Sequence, residues 1–150
     1  MQIVIARPPN FEEVLAVFPL AKNPGVIFTY GQTIYNPSGT HISAQLKAHE
    51  AVHAQRQGTN EEEIRAWWKR YLTEPMFRLE EELLAHRAEY RAFKGWTKDR
   101  NAVARELDTI AKRLSGPLYG GLMSYAQARR MLTVDVDPSA VAKARREAVA

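Results

Sequence analysis

The chain has 150 residues, no cysteine and a net charge of +4, with 45% apolar and 25% charged side chains. That is one domain of an ordinary globular protein, long enough to bury a core. Without cysteine there is no disulfide, no Cys-ligated zinc and no thiol catalysis. No apolar run reaches the length of a membrane span and the N-terminus has no signal-peptide hydrophobic region, so the expected setting is soluble and cytoplasmic, with no membrane partner. The charge is uneven. Residues 1–99 hold 12 basic and 12 acidic side chains, whereas residues 100–150 hold 9 and 5. No aromatic residues interleave with the final basic cluster, so this third reads as solvated helix faces rather than a nucleic-acid surface.

In chain order, Gln2 to Ala6 is a short β-prone run ended by Arg7-Pro8-Pro9. Asn10 is placed to cap a helix reaching about Phe18, with Glu12 and Glu13 in its first turn. Asn23-Pro24-Gly25 is a turn. Val26 to Tyr30 and Thr33 to Tyr35 read as strands joined by Gly31-Gln32, and Asn36 to Gly39 closes the layer. From Ser43 to Gln57 there is neither proline nor glycine, and Gly58 follows as a stop, so this is a helix. Asn60, with Glu63 three residues on, starts another, carrying Ile64, Trp67, Trp68 and Tyr71 as core or groove wall. Glu74-Pro75 breaks it.

The next helix runs from Pro75 to about Phe93, with Gly95 beyond it. Residues 97–115 form a further helix with Val103, Leu107, Ile110 and Leu114 at helical spacing. Ser115 to Gly121 is a glycine-rich loop, and Ser124 with Gln127 opens a short helix to Leu132. Asp137-Pro138 opens a last, Ala-rich helix. The expected organisation is one α+β, mostly helical domain over residues 1–133, with a helical extension over 134–150.

One stretch carries chemistry. His49-Glu50-Ala51-Val52-His53 is H-E-x-x-H, and on a helix it turns both imidazoles to one metal ion while Glu50, about 100° round the axis, lies beside it. Ile42 and Leu46 lead into the two histidines, which places the site at the edge of the core. A third ligand is expected from Glu80, Glu81 and Glu82, which point in three directions, so that at most one reaches the metal. A peptidase needs an exposed strand edge to hold its substrate extended, and Tyr30, Thr33 and Tyr35 mark the candidate edge.

His49-Glu50-Ala51-Val52-His53, followed by Glu82-Leu83-Leu84-Ala85-His86 twenty-nine residues later, resembles the gluzincins, zincin-like metallopeptidases with a glutamate as third ligand. The resemblance covers about residues 26–93 and is nearest to the minimal members encoded by phage and bacterial genomes. Glu82 with Ala85 matches the E-x-x-A pattern of one branch, which selects Glu82 over its neighbours. The resemblance implies a small β-sheet packed on a zincin-like helix pair and one Zn²⁺ per chain on His49, His53 and Glu82. It implies Glu50 as general base and a peptide or protein as substrate. His86 stands where that branch has an aspartate that orients a metal-bound histidine, so its role departs from the pattern. His86, Tyr90 and Tyr119 are the expected donors behind the ligands or to an oxyanion. The competing expectation is a zinc-stabilised structural or interaction protein without turnover.

Overall fold

In the computed structural model, residues 1–133 are described. The expected helix at Asp137-Pro138 and the extension over 134–150 lie outside them. The protein is α+β and mostly helical, as its sequence implies. Three short strands, β1 (Gln2–Val4), β2 (Phe28–Tyr30) and β3 (Thr33–Tyr35), form a mixed sheet in the order β1-β3-β2. β1 runs parallel to β3 with Ile3 opposite Ile34, and β2 runs antiparallel with Thr29 opposite Ile34. Six helices complete the described residues: α1 (Phe11–Val17), α2 (Ala44–Gln57), α3 (Glu61–Thr73), α4 (Pro75–Trp96), α5 (Arg100–Leu114) and α6 (Tyr125–Thr133).

The local starts and stops follow the residues. Ser43 caps α2 through the Leu46 amide. Asn60 and Glu63 form a reciprocal capping box on α3, and Asp99 caps α5 with two amides. Ser124 and Gln127 bond each other's amides at the start of α6. Gly58 ends α2 at φ +93°, a conformation that disfavours any residue with a Cβ.

Several expectations are corrected. Asn10 precedes α1, but its side chain caps nothing. α4 continues through Gly95 to Trp96 instead of ending near Phe93. Two 3-10 turns, Pro19–Lys22 and Pro117–Tyr119, stand where only loops were expected. β3 is the central strand, so Thr33 and Tyr35 do not lie on a sheet edge.

The apolar core falls into two clusters. One joins Leu79 and Leu83 of α4 to Leu107, Ile110 and Leu114 of α5 and Ala128 and Leu132 of α6. The other joins Phe11 and Val14 of α1, Phe28 of β2 and Ile64, Trp67, Trp68 and Tyr71 of α3. α2 and α4 pack on one another with polar side chains facing across the seam. Gln57, at the end of α2, fixes the sheet to that helix: its Nε2 donates to the Thr29 carbonyl and its Oε1 accepts from the Gly31 amide, both at 2.8 Å. In a strand, the carbonyl of one residue and the amide two residues later point to the same side. The Gln57 amide therefore fills the place a pairing strand's peptide would take on β2.

A methyl group at Gly58 would strike the Glu63 side chain, whose carboxylate bonds the Thr59 and Asn60 amides. Gly58→Ala is expected to lower stability by about 1–3 kcal/mol through the strained backbone, measured by urea unfolding in the presence of a chelator.

Candidate metal centre

α2 and α4 each present a polar stripe to the other. On α2 it comprises His49, Glu50, His53 and Gln57; on α4 it comprises Glu82, His86 and Glu89, spaced four and three. All are buried, with Glu50 and His53 the most exposed at 5% and 6%. The His49 and His53 Nε2 atoms are 3.1 Å apart. Glu82 Oε1 lies 3.4 Å from His53 Nε2 and Glu82 Oε2 3.6 Å from His49 Nε2. Three ligands about 2.0–2.1 Å from one ion at tetrahedral angles stand about 3.3 Å from each other. The separations therefore match a shared ion, and the buried cluster can hold a metal.

Orphaned atoms point the same way. Glu82 Oε2 is buried without a hydrogen-bond partner, a costly state for a carboxylate oxygen unless a cation faces it. Its other oxygen accepts from the Tyr71 hydroxyl at 2.5 Å. Tyr71 thus leaves one oxygen of Glu82 free to bind. The donor set, two imidazoles and one carboxylate, suits a borderline ion of the zinc type rather than an all-oxygen magnesium or calcium site.

The protonation pattern is that of a site built around positive charge. Burial disfavours charge on His49 and, helped by His86, pushes its pKa down to about 4, leaving a neutral ring. Burial opposes charge on His53 as well, but the Glu82 carboxylate outweighs it and raises the pKa. Burial pushes Glu82 up, yet His53, with His49 and His86, holds it far below the usual carboxylate range.

Glu50 behaves differently. It lies beside the ligands, with Oε1 4.0 Å from His49 Nε2. Its Oε2 accepts from the Thr29 hydroxyl at 2.7 Å. Burial raises its pKa to about 7, against the pull of His53 and Thr29. A cavity of about 80 Å³ opens here. Its polar wall is His49, Glu50, His53 and Glu82, and its apolar wall includes Phe18, Phe28, Trp67 and Tyr71.

The other expected residues separate. Tyr119 lines the cavity, and its hydroxyl is 3.2 Å from His86 Nε2. Burial first, then Glu82, raises its pKa well above the ordinary value, so it stays a hydroxyl. His86 is fully buried behind Tyr119 and does not line the cavity. Tyr90 packs on the α4–α5–α6 core instead. Of the expected substrate edge, Tyr30 bonds Glu61 through its hydroxyl and Tyr35 packs on the aromatic core. The stretch on the cavity wall is Val26 to Thr29, just upstream. Of the three glutamates, only Glu82 joins the ligands. Glu81 makes two 2.7 Å bonds to Arg56, and Glu80 lies 3.5 Å from the same guanidinium. Sequence reasoning missed Thr29, Tyr71 and Glu89 as parts of the site. Glu89 carried a signal, since it continues the Glu82–His86 face; Thr29 and Tyr71 carried none.

No family model, curated protein or solved structure matches this chain.

Tyr71→Phe removes the donor that holds Glu82 Oε1. Zinc affinity is expected to fall about 10–100-fold, the usual effect of losing a group that supports a ligand, measured by competition against a chromophoric chelator.

Proposed function

We propose that the protein is a zinc-dependent metallopeptidase that hydrolyses peptide bonds, with His49, His53 and Glu82 as the metal ligands and Glu50 as general base. The observation that carries this reading is Glu50. A zinc site that only braces two helices needs its ligands and nothing more. Here a fourth side chain, and an acidic one, is buried at the ligands' edge, at a cost in desolvation, and is held on the cavity wall by Thr29. Its pKa near 7 suits a group that takes a proton at neutral pH and gives it up again.

Zinc held by these ligands would supply the Lewis acidity that lowers the pKa of water to about 7 and polarises a carbonyl. The chain's own groups do the rest. Glu50 Oε2 is anchored, so Oε1 is the atom that accepts the proton from water in the cavity and delivers it to the leaving nitrogen. Tyr119 lines the cavity and remains protonated, and it is the donor for the developing oxyanion when its single O–H proton turns from His86 Nε2 to the cavity. The segment Val26 to Thr29 lies along the same cavity, where an extended substrate chain runs beside the site. Two histidines and a carboxylate also serve iron-dependent oxygenases, but that chemistry gives Glu50 no task.

A second reading is a zinc-stabilised structural or interaction protein. The size of the cavity favours it, because about 80 Å³ beside the ligands holds only a few water molecules.

Two measurements decide. Protein purified without a chelating resin is expected to carry one zinc per chain by mass spectrometry, lost in His53→Ala and Glu82→Ala. Glu50→Gln is expected to keep the zinc and to lose casein or peptide-library hydrolysis by about 10²–10⁴-fold, the usual contribution of a general base. Zinc in the parent without hydrolysis of any library peptide would leave the structural reading. A Glu50→Gln protein that hydrolyses like the parent would overturn the general-base assignment.

A further inference from the structure

We propose that Glu89 is a positioning residue of the metal centre, fixing the His49 ring through Nδ1, and that Arg113 positions Glu89 in turn; this rests on the metal reading above. Glu89 is 1% exposed and lies one helical turn beyond His86 on α4. Its Oε2 is 2.9 Å from His86 Nδ1 and 3.3 Å from His49 Nδ1. Its Oε1 accepts from the Arg113 guanidinium of α5 at 2.6 Å.

His49 Nδ1 is buried and has no formed hydrogen bond. The Glu89 contact is close but off hydrogen-bond geometry, so the ring has one acceptor within reach and stops short of it. A metal-binding imidazole needs its lone pair on the ligating nitrogen and its proton on the other, and a carboxylate behind that proton selects this tautomer and orients the ring. With Nε2 at the ligand cluster, the proton of His49 belongs on Nδ1, facing Glu89. A small turn of the ring completes the bond. The same carboxylate takes the Nδ1 proton of His86, which leaves His86 Nε2 to accept from Tyr119.

His49, His86 and Glu89 also lie close enough to hold an ion of their own. Two features oppose it. Arg113 already neutralises Glu89, and an ion on His49 Nδ1 together with one on Nε2 would require an imidazolate. An orienting role needs neither. Arg113 reaches in from α5, with 40% of its side chain exposed, and so ties the buried carboxylate to the surface of that helix.

The test is zinc affinity by chelator competition for the parent, Glu89→Gln and Arg113→Met. It is combined with thermal unfolding of each zinc-free protein and the ¹⁵N signals of His49 in the zinc-loaded state. Glu89→Gln is expected to bind zinc about 10–100-fold more weakly and to shift the His49 Nδ1 signal, while unfolding cooperatively. Arg113→Met is expected to weaken zinc in the same direction and by less. Unchanged zinc affinity and an unmoved His49 signal in a folded Glu89→Gln protein would overturn the assignment while leaving the metal site standing. If Glu89→Gln does not fold, Arg113→Met decides on the same two readouts. A parent that takes up no zinc would overturn the metal reading itself, and this inference with it.

Discussion

The constraint on which the structure depends is the burial of ionisable side chains between α2 and α4. His49, Glu50, His53, Glu82, His86 and Glu89 are all at most 6% exposed. An isolated carboxylate does not survive such burial in ionised form; it changes protonation state or finds a partner. Each finds a different solution here. Glu89 is neutralised from outside by Arg113. Glu82 faces His53 and takes the Tyr71 hydroxyl. Glu50 rises to a pKa of about 7 and settles on Thr29. What is left over is a set of lone pairs on His49, His53 and Glu82, aimed at one point. A pair of helices that met only for stability would do as well with apolar residues of similar size. Stability alone therefore does not account for the seam.

The remaining elements can be understood as supports for that seam. The sheet is too small to stand alone. It is joined to α2 through Gln57 and through the Thr29–Glu50 bond, so β2 and α2 form one unit. α3 lays the His53 ring against Trp67 and Tyr71, with ring centroids 5.5 and 6.4 Å away. α5 delivers Arg113, and the turn after it delivers Tyr119. Arg78 ties that turn to α3, donating to the carbonyls of both Tyr119 and Tyr71. Both tyrosines that touch the site's polar groups are thus held by one guanidinium, carried on α4 one turn before Glu82.

Much of this was legible in the sequence where the signal is local. Asn60 with Glu63, and Ser124 with Gln127, set their helix starts through bonds spanning three residues, Gly58 stops α2 through its positive φ, and the structure has all three. Helical geometry limits the triple glutamate to one residue at the site, and it was the E-x-x-A resemblance that selected Glu82. The misses are tertiary. Asn10 has the right type for a cap, yet its backbone sits at φ −97°, ψ 21° instead of the extended conformation of a cap, and its side chain bonds no amide. Gly95 lies in a helix where an added Cβ would meet nothing, so no packing or backbone demand ends the helix there. The order of strands decides that β3 is central, and three residues of β-prone sequence carry no information on order. Tyr90 shares a face with Glu82 only loosely; over eight positions the helical offset carries it round to the α5 side. Thr29 and Tyr71 act through distances of 21 and 11 residues along the chain, beyond any local pattern.

One physical cause serves the site in two opposite ways. Desolvation disfavours charge whatever its sign. On His49 it removes a proton, bringing the pKa to about 4 and leaving the lone pair a metal requires. On Glu50 it retains a proton, bringing the pKa to about 7. A carboxylate left in water, with its pKa near 4.3, would be too weak a base to capture a proton at neutral pH and too strong an acid to hold it. The aromatic wall of Phe18, Phe28, Trp67 and Tyr71 faces both groups across the cavity. That wall comes from α1, β2 and α3, elements that contribute no ligand. In the proposed peptidase, the ligand helices alone would bind a metal, and the aromatic layer is what makes the residue beside it a base.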